Sequence, residues 1–159
     1  MQMRAQTRCG CAEGFEAVQA KQSEYCRVKQ ILDRGKHPTF IGRSLVAICS
    51  RNGGCTIFRW QNYDIGVAVV NPMKNTLLVL NVDPGHRSHG LGSAILRYVQ
   101  PNFARVLESA VPFFERNGYA SVGSLKRGNS LNTQVMIKSS LRSLAGRISM
   151  IYKSEVESA

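Results

Sequence analysis

Two rhythms of apolar positions run along this chain, and each change of rhythm marks a new element. Phe15, Val18, Tyr25, Val28 and Leu32 fall on one side of a helical wheel, so the spacing predicts a helix over residues 13–34, with Gly35 as its stop. Ser44–Cys49 and Cys55–Trp60 are short apolar runs around Asn52-Gly53, a pair that favours tight hairpin turns, so two antiparallel strands are expected there. In that hairpin Ser50 would face Cys55, which points the Cys49 and Cys55 thiols to opposite faces of the sheet. Residues 64–70 read as a short strand or extended loop, and Thr76–Val82 as a buried central strand. Helical spacing returns at Leu91, Ala94, Ile95 and Tyr98, until Pro101 ends it. Residues 104–109 form a weak strand pattern. Residues 111–117 read as a short helix with Pro112 in its first turn and Gly118 past its end. Two further strands, 119–124 and 133–138, flank the polar turn 126–132. Ser139 or Ser140 is placed to cap a closing helix over 139–156, with Leu141, Leu144, Ile148 and Ile151 on its apolar face and Arg142 and Lys153 opposite. The polar residues 1–12 are expected to fray.

The pattern is that of one α/β domain over residues 1–159, since no repeat or low-complexity linker divides it. No uncharged apolar run approaches the roughly 18 residues of a membrane-spanning helix, and the polar start lacks a signal-peptide core, so a cytoplasmic protein is expected. The five cysteines are an odd set, and Cys9, Cys11, Cys26 and His37 match no strong zinc spacing. Reduced thiols and no metal are the expectation. Charge changes the picture more. The formal net charge is +11, and from Ser121 to Ser154 the basic residues Lys126, Arg127, Lys138, Arg142, Arg147 and Lys153 stand without one acid. Such a field concentrates anions, whether coenzyme phosphates, nucleic acid or an acidic protein. It speaks to association and not to a reaction.

The candidate chemistry lies between the central strand and the helix after it, in Arg87-Ser88-His89-Gly90-Leu91-Gly92. Backbone N–H groups at a helix start have no intrahelical partner and carry partial positive charge, so they hold phosphate well. Glycines at 90 and 92 let a pyrophosphate approach the main chain. A P-loop is excluded because no Gly-Lys-Ser/Thr follows. A dinucleotide fingerprint is disfavoured because Ile95 stands where a third small residue is needed.

Val82-x-Pro84-x-x-Arg87-x-x-Gly90-x-Gly92 resembles motif A of the GNAT N-acetyltransferases, and Phe113-Phe114-Glu115-Arg116-Asn117-Gly118-Tyr119 resembles their motif B. The resemblance covers roughly residues 40 to 125. It implies a mixed, mostly antiparallel sheet with a splayed parallel strand pair, flanked by helices, with the C-terminal helix as an addition. It implies acetyl-CoA, or another acyl-CoA, as cosubstrate. Main-chain N–H groups of Arg87, Ser88, His89, Gly90, Leu91 and Gly92 would hold the pyrophosphate, with the Ser93 hydroxyl close by. Main-chain groups of Leu80 and Val82 would face the pantetheine arm and the thioester. Phe114 falls where many family members carry a tyrosine that protonates the leaving thiolate, and phenylalanine has no proton to give. Either Ser109, Tyr119 or water serves, or the thiolate leaves unaided, or the protein binds acyl-CoA without the usual chemistry.

A base must take the proton of the attacking ammonium, and Asp64 and Glu108 are the candidates, with Asp83 more structural. His86 and His89 flank Arg87 and are candidates for phosphate contact or for plain loop polarity. Trp60 and Tyr63 either line the acceptor pocket or pack. The implied activity is acyl transfer from acyl-CoA to a primary amine. The basic field disfavours a free polycation and favours an acceptor on an anionic or macromolecular partner. Two alternatives stay open: a GNAT-fold protein that modifies nucleic-acid bases, like the phage Mom type, and a noncatalytic acyl-CoA or nucleic-acid binding module.

Overall fold

The apolar run Thr76–Val82 forms a strand on which the rest of the molecule is organised. The computed structural model describes residues 15–35, 43–87, 89–125 and 133–144. Strands β1 (Phe15–Gln19), β2 (Cys55–Trp60), β3 (Tyr63–Asn71), β4 (Thr76–Val82), β5 (Phe103–Leu107), β6 (Tyr119–Leu125) and β7 (Thr133–Lys138) form one sheet in the order β1-β2-β3-β4-β5-β7-β6. Every neighbouring pair is antiparallel except β4 and β5. Helices α1 (Tyr25–Arg34) and α2 (Arg43–Arg51) precede β2, α3 (Leu91–Val99) crosses from β4 to β5, and α4 (Val111–Arg116) links β5 to β6. A helical crossover returns the chain to the same end of the sheet, which is why β4 and β5 run parallel.

Each face has its own core. Val28, Ile31 and Leu32 of α1 and Val46 and Cys49 of α2 pack on Cys55, Ile57, Val67, Val69 and Val79. Leu91, Ile95 and Leu96 of α3 and Phe114 of α4 pack with Phe58, Ile65, Ala68, Leu77, Ala104, Val106 and Met136. Full burial of such side chains contributes roughly 1.5–3 kcal/mol each. On the α3 side, a Cβ on Gly66 would lie 2.7 Å from the Asn81 carbonyl oxygen and 3.2 Å from Ile95 Cδ1, so only glycine lets α3 settle there.

Three expectations need correction. Residues 13–34 are not one helix: Phe15 and Val18 lie on β1, an edge strand paired with β2, and the helix begins at Tyr25. The Lys21 N–H bonds to Glu24 Oε2 at 2.9 Å and closes the turn between them. Residues 44–49 belong to α2, not to a hairpin strand. Asn52-Gly53-Gly54 ends that helix, since the Gly54 N–H donates to the Cys49 carbonyl at 2.7 Å and Asn52 Nδ2 donates to the Ile48 carbonyl at 3.1 Å. Cys49 and Cys55 therefore share one core instead of pointing to opposite faces. Both thiols are free, and burial pushes the Cys55 thiol up to about 11. Third, residues 139–144 form a 3-10 turn, not the start of an α-helix. The rest of the expected closing helix, residues 1–12, and Cys9, Cys11 and His37 lie outside the described residues.

Candidate functional site

The β4–β5 ladder holds for two residue pairs only, Thr76 with Phe103 and Leu77 with Ala104. Beyond Leu77 no residue of β4 pairs with β5, so the sheet opens toward the C-terminal ends of both strands. On its other side β4 stays paired with β3 as far as Val82, and the Asp83 N–H donates to the Ile65 carbonyl at 2.7 Å. That bond makes Gly66 and Val82 a non-hydrogen-bonded pair. By the alternation of an antiparallel ladder, the main-chain N–H and C=O groups of Leu80 and Val82 then turn away from β3, into the gap.

The loop after β4 is held mostly by its own residues. Asp83 Oδ1 accepts from the Gly85 N–H at 3.0 Å, and the Arg87 N–H donates to the Pro84 carbonyl at 3.3 Å. The Arg87 guanidinium donates to the Val82 carbonyl and to the Gly35 carbonyl at the end of α1, both at 3.0 Å. Arg87 thus clamps the loop to α1, and its main-chain N–H is spent inside the turn. His89 is exposed, with Nδ1 3.0 Å from the Arg87 carbonyl. Gly90 has φ +72° and precedes α3 with no side-chain cap on the helix. The first-turn N–H groups of Leu91, Gly92 and Ser93 therefore have no acceptor within the helix. Ser88 lies outside the described residues.

Across the gap, β5 leads into a 3-10 turn, Glu108–Ala110, and then α4. Because β5 is parallel to β4, Glu108 and Ser109 sit at the open end of the sheet, both exposed. Phe113 approaches the start of α3, its ring 3.3 Å from where a Gly92 Cβ would be. Phe114 is 4% exposed and meets the rings of Phe113 and Tyr119 edge-on, at 5.2 and 5.7 Å between centroids. The Tyr119 hydroxyl donates to the Pro101 carbonyl at 2.6 Å, and burial pushes it up to about 12. Tyr119 opposes Lys138, next to the Phe103–Ile137 pair, so it lies at the closed end of the gap, away from Val82.

Asp64 reaches the open end from the β3 side, but its carboxylate is already engaged. Arg27 Nε and Nη2 donate to Oδ2 and Oδ1 at 2.7 Å each, and Arg59 Nε stands 3.5 Å from Oδ1. The Arg27 hydrogen bonds hold this carboxyl below the usual carboxylate range. Arg34 donates to the Asp64 carbonyl at 2.7 Å and lies 3.3 Å from Asp83 Oδ2. This arginine network was not legible beforehand, because Arg27 and Asp64 are 37 positions apart and no spacing rule links them. Trp60 is half-buried, its ring 5.9 Å from His86 and 6.4 Å from His89, while Tyr63 is 72% exposed. Among the described residues no group of His, Cys, Asp and Glu could hold a metal ion, and no helix is long and apolar enough to cross a membrane.

No protein-family model and no curated protein matches the sequence. Solved structures do match. Arabidopsis thaliana Naa50, in complex with the bisubstrate analogue CoA-Ac-MVNAL, superposes with a TM-score of 0.63 at 14% identity, over 77% of this chain and 97% of that one. This chain has the GNAT fold. A GNAT-family acetyltransferase from Bacillus cereus ATCC 10987 gives a TM-score of 0.60 at 19% identity, covering 77% of this chain and 94% of its own. Ard1 from Thermoplasma volcanium gives 0.61 at 17%, covering 77% and 95%. The mixed sheet with its one parallel pair and flanking helices is the GNAT architecture expected from the two sequence motifs.

Proposed function

We propose that this chain is an acyl-CoA-dependent N-acyltransferase, with acetyl-CoA as donor and a primary amine as acceptor. The observation that carries the reading is the interrupted β4–β5 ladder with the uncapped start of α3 at its mouth. An extended pantetheine arm fits such a gap by completing the hydrogen bonds that the Leu80 main chain and the Val82 N–H leave unmade there, the Val82 carbonyl being taken by Arg87. The N–H groups of Leu91, Gly92 and Ser93, approached past Gly90, suit a diphosphate. His89 and the clamped Arg87 shape this loop.

In this reading the Val82 N–H polarises the thioester carbonyl and stabilises the oxyanion formed as the amine attacks. The new C–N bond forms, the C–S bond breaks, and the nitrogen gives up two protons, one from the ammonium before attack and one as the tetrahedral intermediate collapses, the second replacing the proton delivered to the departing thiolate. Glu108 is the acceptor we assign to the first proton, since it is exposed at the open end. Asp64, bonded twice to Arg27 and held below the usual carboxylate range, is a weaker base and positions β3 against α1 instead. Phe114 supplies no proton to the thiolate, so the Ser109 hydroxyl or water is assigned that step. The acceptor amine is carried by a macromolecule, a protein or a nucleic acid.

Phe114 also favours a second reading: the cleft binds acyl-CoA without turning it over. The buried ring and a Tyr119 hydroxyl committed to Pro101 leave no tyrosine donor beside the gap among the described residues. Titration calorimetry with acetyl-CoA tests the cleft shared by both readings. Thiol release with a lysine peptide, a peptide amino terminus, a polyamine and single-stranded DNA then separates them. Binding without release on any acceptor selects the second reading, and absence of binding refutes both.

A further inference from the structure

The two ends of the sheet differ in charge. At the open end, most described cations stand beside carboxylates, Arg27 and Arg59 by Asp64, Arg34 by Asp83, and Lys29 by Asp33, while Arg87 is held by the Val82 and Gly35 carbonyls. The opposite end is where β4 and β5 begin, at the closed side of the gap. Five segments converge there. They are the β3–β4 turn with Lys74, the last turns of α3 and α4 with Arg97 and Arg116, the end of β7 with Lys138, and the end of α2 with Arg51. Lys21, just after β1, joins them.

Backbone hydrogen bonds pin these segments to one another. The Asn102 N–H donates to the Asn75 carbonyl at 3.0 Å, the Lys138 N–H to the Asn102 carbonyl at 3.0 Å, and the Ser139 N–H to the Gly118 carbonyl at 2.8 Å. Six cations thus share this end. The described acids near them are Glu24, which pairs with Arg27 at 2.7 Å, and Glu115. Helix C-termini attract single cations, and that accounts for Arg97 and Arg116 separately. It does not account for Lys138, which lies on no helix.

We propose that this end of the sheet is a docking surface for a nucleic-acid backbone. Seven strands at about 4.8 Å spacing make a rim about 29 Å wide, which matches eight or nine base pairs of duplex. Among the described residues, Met73 of the β3–β4 turn, Tyr98 of α3 and Ile48 of α2 are the large apolar side chains exposed on these segments, and they stand on three separate elements instead of forming the continuous apolar face with which a helix enters an anionic membrane. Seven residues of β4 put this rim about 20 Å from the mouth of the gap. A polyanion bound here anchors the protein and leaves the open end free for a different molecule. The proposal does not depend on acyl transfer.

Fluorescence anisotropy with labelled 30-mers of duplex DNA, single-stranded DNA and RNA, from 50 to 300 mM KCl, tests it. The wild type should bind at least one of them, with affinity falling steeply with salt, about 0.9 in logarithmic slope per phosphate contacted on duplex. The triple variant Arg97→Ala, Arg116→Ala, Lys138→Ala should lower that slope by about 2.7 and weaken binding at 100 mM KCl at least tenfold. The double variant Arg97→Ala, Arg116→Ala should lower it by about 1.8 and guards against misfolding, which circular dichroism checks. Lys29→Ala, at a cation paired with Asp33, should leave the slope unchanged. No salt-dependent binding by the wild type, an unaltered slope in both variants, or binding to phosphatidylserine vesicles in place of nucleic acid overturns the proposal.

Discussion

Gly90 is where the coenzyme reading is most exposed to refutation. Its φ of +72° is a left-handed conformation, and a Cβ added there would have nothing within 4 Å. Alanine at 90 therefore brings backbone strain of about 1 kcal/mol and no clash. Glutamate brings the same strain, with part of it offset because a carboxylate at a helix start is favourable. The two variants should accordingly melt within a few degrees of each other. They should part on coenzyme binding. A glutamate carboxylate about 5 Å from a diphosphate charge, at an effective dielectric of about 20, is repelled by about 3 kcal/mol, or over a hundredfold in affinity. Titration calorimetry with acetyl-CoA should show Gly90→Ala within about fivefold of wild type and Gly90→Glu at least a hundredfold weaker. Equal affinity in wild type and Gly90→Glu would mean that no diphosphate sits on the start of α3.

Other consequences can be checked separately. Asp64→Asn should destabilise the fold by about 2 kcal/mol at pH 7, because Arg27 loses a doubly bonded, part-buried carboxylate, while acetyl-CoA affinity should hold. Because Arg27 depresses the Asp64 carboxyl in the fold, its stabilisation is complete above the unfolded value of about 4 and fades as pH falls through the lower folded value. Melting of wild type and Asp64→Asn should converge on acidification, and a constant gap from pH 7 to pH 2 would contradict this. Gly66→Ala should lose about 1–3 kcal/mol by denaturant melting, since the atom in the way is the Asn81 carbonyl and not a flexible side chain. Phe114→Tyr should raise thiol release about tenfold or more with an unchanged KM for acetyl-CoA if a missing proton donor limits turnover. Unchanged turnover would show that thiolate departure is not limiting.

How much of this was legible in the chain depended on the range of the interactions involved. Thr76–Val82 and Thr133–Lys138 were readable residue for residue, because a buried strand needs only a short apolar run. Asn52-Gly53 misled because the same pair closes hairpins and ends helices. What decided between them was burial of Val46 and Cys49, three apart, with Ile48 left 56% exposed. The five residues of β1 were absorbed into a helix because Phe15 and Val18 happen to stand three apart, and only pairing with β2 makes them a strand.

The same division runs through the site. The cradle we propose for the coenzyme is main-chain chemistry: a strand that loses its neighbour, two glycines and a helix start, all within one stretch of sequence. Arg87 belongs to that stretch, yet its side-chain role could not be read there, because one of its acceptors, the Gly35 carbonyl, is 52 positions away. The reaction chemistry we propose for the open end draws on side chains from β3, the turn after β5, and α4, which meet only through tertiary packing. Asp64 shows the consequence. As an isolated acid on a strand it was a fair candidate base, and Arg27 from a distant helix turns it into the anchor of an ion pair. A local motif can therefore announce the donor long before it announces the reaction, and the acceptor end of this cleft has to be argued from contacts between elements.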